Sequence, residues 1–210
     1  MTDPSIDPHF PKTWNYPLPT RWSMDDGYQL LPHLPLVSEK HREVAKLVEY
    51  ERPPDEQPDE GVMYMRSRNS ADQPFSKTKF CQDIQEYFQC NLVTKYSKLE
   101  PFTVYDWHRD LDRPFCVNTL IVQPAQGATT LHRRRINRMV YSIREVVYVP
   151  LQPLLFNSAI PHCVFNNSNT TRYIMSISMF GTKKVWDEAK EWFMNYRVEN
   201  DSYGDEFGAP

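Results

Sequence analysis

From Leu92 onward the hydrophobic and polar positions alternate with the period of two that strands require. The runs Leu92–Ser97, Thr103–Asp110, Cys116–Gln123, Thr129–Arg134, Met139–Ile143, Glu145–Val149, Leu154–Asn157, Ile160–Phe165 and Arg172–Phe180 read as strands, with turn residues about every ten positions. Many short strands at that spacing predict a closed or two-sheet β core of jelly-roll or cupin type. Outside this region the period becomes helical. Ser38 to Arg52 predicts a helix with Ser38 as cap and Val44, Leu47 and Val48 on one face, stopped by Pro53 and Pro54. A short strand is expected at Val62–Met65, and a second helix from about Ser76 to Cys90 with Phe80, Ile84, Tyr87 and Phe88 as its core stripe. A third helix, Thr182 to Tyr196, is capped by Thr182 and turns Val185, Trp186, Ala189, Trp192 and Phe193 toward the sheet. Helices segregated from strands place the chain in the α+β class, mainly β.

Residues 1–37 change that picture at the N-terminus. Pro4, Pro8, Pro11, Pro17, Pro19, Pro32 and Pro35 exclude a long helix there, while Phe10, Trp14, Tyr16, Trp22 and Tyr28 favour burial. The expectation is an extended arm, 1–37, packed on one domain, 38–210. The 40% hydrophobic and 24% charged residues suit a folded domain of 210 residues. A net charge of −3 argues against bulk attraction to nucleic acid or to an acidic membrane. Cys81, Cys90, Cys116 and Cys163 form no CxxC pair, and no signal-like or membrane-length apolar run is seen, so reduced thiols, a cytoplasmic location and no membrane partner are expected.

The candidate chemistry lies in the β region. In Trp107-His108-Arg109-Asp110, strand alternation points His108 and Asp110 to one side with Arg109 turned away. Two imidazoles and a carboxylate on one face of a metal form the ligand set of non-haem Fe(II) oxygenases, and His162 is the candidate third ligand, ahead of His132. The polar run Phe165–Thr171 reads as a hairpin turn; centred on Asn167, it sets His162 opposite Arg172, with Ile174, Ser176 and Ser178 continuing that face. A guanidinium there can grip a carboxylate through two parallel hydrogen bonds. Asn118 and Thr130, polar and on neighbouring strands, are further candidates for the same space. Tyr105 and Trp107 either line its entrance or pack. The basic run Arg133–Arg138 either guides an acidic partner or forms a solvated loop.

Tyr96, His108-Arg109-Asp110, His162 and Arg172 ten positions later together resemble the 2-oxoglutarate and Fe(II)-dependent oxygenases, nearest to the prolyl-4-hydroxylase-like group and its phage-encoded relatives, over about Leu92 to Phe180. The resemblance implies a double-stranded β-helix core (about 92–180) and a metal held by His108, Asp110 and His162. It also implies 2-oxoglutarate as co-substrate with O2, its distal carboxylate on Arg172 and a hydroxyl contact from Tyr96. Many relatives carry a hydroxyl two positions after the arginine. Here that position is Ile174, and Ser176 is the next hydroxyl on that face. The implied activity is oxidative decarboxylation of 2-oxoglutarate to succinate and carbon dioxide, coupled to hydroxylation of a substrate C–H bond. A peptide side chain is the first substrate class by this resemblance, a nucleobase the second and a small metabolite the third. Two other readings use the same β core: a metal-dependent cupin enzyme that does not use 2-oxoglutarate, and a non-catalytic binding or assembly module.

Overall fold

The computed structural model describes residues 27–34, 37, 40–51, 64–67, 78–122, 128–135 and 141–197. In chain order the elements are β1 (Tyr28–Leu30), α1 (Lys40–Leu47), β2 (Tyr50–Glu51), β3 (Tyr64–Ser67), α2 (Lys79–Phe88), β4 (Asn91–Leu99), β5 (Thr103–His108), β6 (Cys116–Val122), β7 (Ala128–Arg135), β8 (Tyr141–Glu145), β9 (Pro153–Phe156), β10 (His162–Asn166), β11 (Arg172–Phe180) and α3 (Trp186–Asn195). The strands form two antiparallel sheets, β1-β9-β6-β11-β4-β3-β2 and β5-β10-β7-β8. This is the mainly-β, jelly-roll architecture that the alternation implied.

Alternation also explains how the larger sheet is used. On β11, Tyr173, Met175, Ile177 and Met179 face the helices, where they join Phe80, Ile84 and Phe88 of α2 and Trp186, Ala189 and Phe193 of α3 in the main core. The other face of β11 carries Arg172, Ile174, Ser176 and Ser178 toward the second sheet. Phe88 and Phe193 stack at 5.5 Å, and each side chain so buried contributes about 1.5–3 kcal/mol. A smaller cluster, Cys116, Val146, Leu154 and Phe156, lies between the sheets. The interior is thus apolar at one side and polar where the chemistry sits.

The helices are shorter than their patterns. Thr78 caps α2 by accepting from the Cys81 amide. Thr182 does not cap α3: its hydroxyl donates to Phe88 O and accepts from the Lys184 amide, while the Glu188 carboxylate accepts from the Val185 amide at the helix start. On α1, Val44 and Val48 pack as expected, but Leu47 is 83% exposed, and His41 and Ala45 take the buried positions. The proposed Ser38 cap and the stop at Pro53 and Pro54 lie outside the described residues, as do 1–26 of the N-terminal arm. The described end of that arm enters the core directly. β1 pairs with β9, and Leu31 and Leu34 are fully buried. His33 satisfies Phe193 O at 2.9 Å. Among the described residues no helix is long and apolar enough to cross a membrane.

One expected contact is wrong in an instructive way. β10 and β11 are not a hairpin: β10 pairs with β5 and β7 in one sheet, β11 with β4 and β6 in the other. The segment between them crosses from sheet to sheet around Asn166, which is fully buried. The two N–H groups of its side-chain Nδ2 are shared among Leu99 O, Glu100 O and Thr170 O at 3.0, 3.1 and 2.8 Å, and its Oδ1 accepts from the Ser168 amide and hydroxyl. Asn166→Ala would strand these buried carbonyls, so an expected loss of at least about 2 kcal/mol in urea unfolding follows. An unchanged midpoint would remove Asn166 as the organiser of the crossover.

Candidate metal and carboxylate site

His108 ends β5 and His162 begins β10, and the two are direct cross-strand partners. Between them β5 carries an irregularity opposite β10, which returns both Tyr105 and His108 to the inner face although they are three residues apart. Asp110 lies just beyond the strand end rather than on it, so strand alternation does not aim it. Tertiary contacts do: its amide donates to Ser158 O at 3.0 Å and its Oδ2 pairs with Arg113 Nη2 at 3.0 Å. The outcome is that one ligand atom each from His108, Asp110 and His162 lies within 4.8 Å of the others.

Both imidazoles are oriented through the nitrogen that faces away. His108 Nδ1 meets Asp106 O at 2.6 Å and His162 Nδ1 meets Ile160 O at 2.9 Å. A carbonyl only accepts, so each Nδ1 carries the proton and each Nε2 carries a lone pair. His162 Nε2 then faces Asp110 Oδ2 at 3.7 Å with no proton between them. Burial holds His162 well below the usual imidazole range, reinforced by His108. Burial likewise lowers His108 against the opposing pull of Asp110. Neutral imidazoles and a carboxylate, all lone pairs and converging, are the donor chemistry of a divalent metal, and the supporting carbonyls fix the ring orientation.

His132 sits opposite His162 on the neighbouring strand, with ring centroids 6.1 Å apart, but outside that three-atom cluster. It packs on Phe156 at 4.6 Å, its Nε2 has no hydrogen-bond partner, and burial pushes it down to about 4. Three histidines depressed below their unfolded value of about 6.5 have one consequence for stability. As pH falls below that value the unfolded chain takes up protons that the folded chain refuses, so stability present above pH 6.5 is lost toward pH 4, by up to about 1.4 kcal/mol per pH unit per histidine. The urea midpoint of the metal-free protein should therefore drop steeply over this window. A flat profile would mean that the histidines titrate freely.

Arg172 is only 2% exposed, and it reaches from β11 across to the other sheet, where Nη1 donates to Thr130 Oγ1 at 3.1 Å. The guanidinium also lies over Tyr148, 5.3 Å from the ring centroid. Its Nε has no hydrogen-bond partner, and among the described residues no carboxylate forms an ion pair with it. Burial lowers its pKa, opposed by Tyr148 and Glu145. A buried cation so sparsely compensated favours an anion. A cavity of about 140 Å³ adjoins it, lined in part by Ala128, Val146 and Tyr148. Thr130 and His132 share a face of β7 two residues apart, which sets the guanidinium contact about 7 Å along the strand from the histidine pair.

Of the remaining sequence candidates, Asn118 and Ser176 join this polar interior: Ser176 Oγ donates to Asn118 Oδ1 at 2.7 Å, and Asn118 Nδ2 donates to Tyr148 OH at 3.3 Å. Tyr96 does not. It pairs with Met175, on the face opposite Arg172, and is 2% exposed inside the helix-side core. Parity on β4 turns it away from the site. Trp107 packs under Arg133 with the guanidinium 4.9 Å from its ring, whereas Tyr105 lies against His108 at 3.9 Å. Of the basic run, Arg133–Arg135 continue β7, and 136–138 lie outside the described residues. Cys163 alternates away from His162. Sequence reasoning missed Tyr148 and Arg113. The alternation through Val146 and Tyr148 signalled the first, whereas nothing local marked the second. Burial pushes the Tyr148 phenol up to about 12, so it stays neutral beside the guanidinium.

No protein-family model and no curated protein matches the chain by sequence. Solved structures do match by shape. An oxidoreductase of the 2OG-Fe(II) oxygenase family from Burkholderia pseudomallei superposes with a TM-score of 0.52 at 9% identity, over 76% of this chain and 89% of that one. The fold is shared with these oxygenases. The non-heme alpha ketoglutarate dependent epimerase SnoN from nogalamycin biosynthesis gives a TM-score of 0.52 at 10% identity, covering 74% of this chain and 79% of its own. The likeness is one of backbone, and it confirms the jelly-roll reading. The expected kinship with phage-encoded members gains no support from these matches.

Proposed function

We propose that the chain is an Fe(II)- and 2-oxoglutarate-dependent dioxygenase that hydroxylates a side chain of a peptide or protein. The observation that carries this reading is the approach of His162 Nε2 and Asp110 Oδ2 to 3.7 Å beside His108, with a buried guanidinium lacking an acid partner among the described residues further along the same interior. A divalent cation answers the first feature and a carboxylate the second. In the proposal His108, Asp110 and His162 hold Fe(II). Arg172 holds the distal carboxylate of 2-oxoglutarate, with the Thr130 and Tyr148 hydroxyls completing an anchor that in many relatives includes a hydroxyl two positions after the arginine. Bound iron and 2-oxoglutarate with O2 would supply the oxidising power for C–H hydroxylation.

The chain's own residues perform the positioning. Asp106 O and Ile160 O keep both Nε2 lone pairs turned inward, and Tyr105 backs the His108 ring. Ser176 and Asn118 hold the Tyr148 hydroxyl, while the Tyr148 ring lies under the guanidinium. A peptide remains the first substrate class through the resemblance of the motif to prolyl hydroxylases. A nucleobase is second, with the basic strand end at Arg133–Arg135 as its support.

The reading is tested by substrate-free turnover: with Fe(II) the protein should convert 2-oxoglutarate to succinate, and Mn(II) plus 2-oxoglutarate should raise Tm beyond Mn(II) alone. Metal binding without any response to 2-oxoglutarate would transfer the chain to the metal-dependent cupin class. No response to either would leave a binding module.

A further inference from the structure

Asp110 is the one candidate ligand that no strand aims, and the groups holding it form a small cross-brace. Arg113 Nη2 contacts Asp110 Oδ2 at 3.0 Å, and Arg113 Nη1 donates to Ser178 Oγ at 3.1 Å on β11 of the opposite sheet. Arg113 O accepts from Ser158 Oγ at 2.5 Å, and Ser158 O accepts from the Asp110 amide at 3.0 Å. The two charged side chains are 15% and 14% exposed, and Ser178 is fully buried, so solvent screens the pair little. The oxygen that Arg113 contacts is also the one facing His162 Nε2.

We propose that Arg113 is a positioning residue that sets the charge of the metal site, trading metal affinity for co-substrate affinity. This inference rests on the metal and 2-oxoglutarate reading above. A cation fixed on the carboxylate that serves a metal cancels that carboxylate's charge. It therefore opposes binding of a second cation, the metal. It also leaves the loaded site with a larger net positive charge for a dianionic co-substrate. The two effects have opposite signs, and a purely structural brace would not produce that pattern: its loss would weaken both ligands together.

The experiment measures Kd for Mn(II) by calorimetry, and then Kd for 2-oxoglutarate on the Mn(II)-loaded protein, in the unchanged chain, Arg113→Met and Arg113→Lys. For Arg113→Met the expected result is a Mn(II) Kd lower by about tenfold and a 2-oxoglutarate Kd higher by about tenfold, the order expected for charges this close at an effective dielectric of about 20. Arg113→Lys, which retains the charge, should leave both within about threefold of the unchanged protein. Joint weakening of both ligands in Arg113→Met, or no change in either, overturns the inference. If Arg113→Met yields no folded protein, Arg113→Gln, which preserves a donor toward Ser178, is held to the same two criteria. Absence of Mn(II) binding by the unchanged protein overturns the metal reading itself, and this inference with it.

Discussion

Replacing His162 with alanine is expected to weaken Mn(II) binding by well over a hundredfold and to abolish conversion of 2-oxoglutarate to succinate. The reason lies in the count of donors. Three side chains converge within 4.8 Å, so one substitution removes a third of the protein's hold on the ion. Losing only a supporting partner of a ligand typically costs 10–100-fold, and losing the ligand itself exceeds that. His108→Ala and Asp110→Ala should behave alike. In the metal-free state His162→Ala is a cavity mutation at a 4% exposed position beside Phe156 and His108, and so destabilises without removing the strand ladder. Far-UV circular dichroism separates loss of fold from loss of metal. Retained metal affinity and turnover in all three folded variants would dismiss the site.

Arg172→Met should move stability and binding in opposite directions. The guanidinium is buried with one neutral hydrogen bond, a ring face and an unpartnered Nε, so its burial is poorly compensated without an anion. A thioether of similar length removes that desolvation cost, and replacing poorly compensated buried charge with apolar volume can gain about 1–4 kcal/mol. The same change removes the charged half of the proposed carboxylate anchor, where truncating one partner of a buried charge pair costs about 2–5 kcal/mol, or roughly 30- to several-thousand-fold in 2-oxoglutarate affinity. Metal affinity should stay near that of the unchanged protein because no metal ligand is altered. A variant that is less stable yet binds 2-oxoglutarate normally would reassign Arg172 to a structural role. The expected pattern is the usual conflict between a functional cleft and stability.

How much of this was legible beforehand depends on the range of the interaction involved. Period-two alternation marks which side chains of one strand share a face, and so it correctly grouped Arg172, Ile174, Ser176 and Ser178 and set Cys163 against His162. It also located β11 to the residue. The resemblance, not alternation, set Tyr96 at the site; parity on β4 instead pairs it with Met175 and buries it on the helix side, because both faces of this sheet are interior. The helical period misplaced Leu47 because a short amphipathic helix permits several stripes, and packing chose His41, Val44, Ala45 and Val48.

His108, Asp110, His162 and Arg172 were all readable as chemistry from residue type and spacing, because donor atoms and charge belong to the side chain itself. Their convergence followed from the resemblance, and the three ligand atoms do converge, but not by the route drawn from the turn. The hairpin that would have paired β10 with β11 does not form; the strands lie in different sheets, and Arg172 reaches the interior from the far side to Thr130. Asp110 is aimed by Ser158 and Arg113 rather than by its strand, and Tyr148 enters from an irregular stretch after β8. Local sequence by itself determined the strand periods, the apolar stripe of α2 and the kinds of donor available, since these depend on neighbours a few residues away. Only the tertiary structure decided which sheet each strand joined and which atoms met, since pairing partners are chosen by burial and buried hydrogen bonds, such as the three from Asn166, between segments dozens of residues apart.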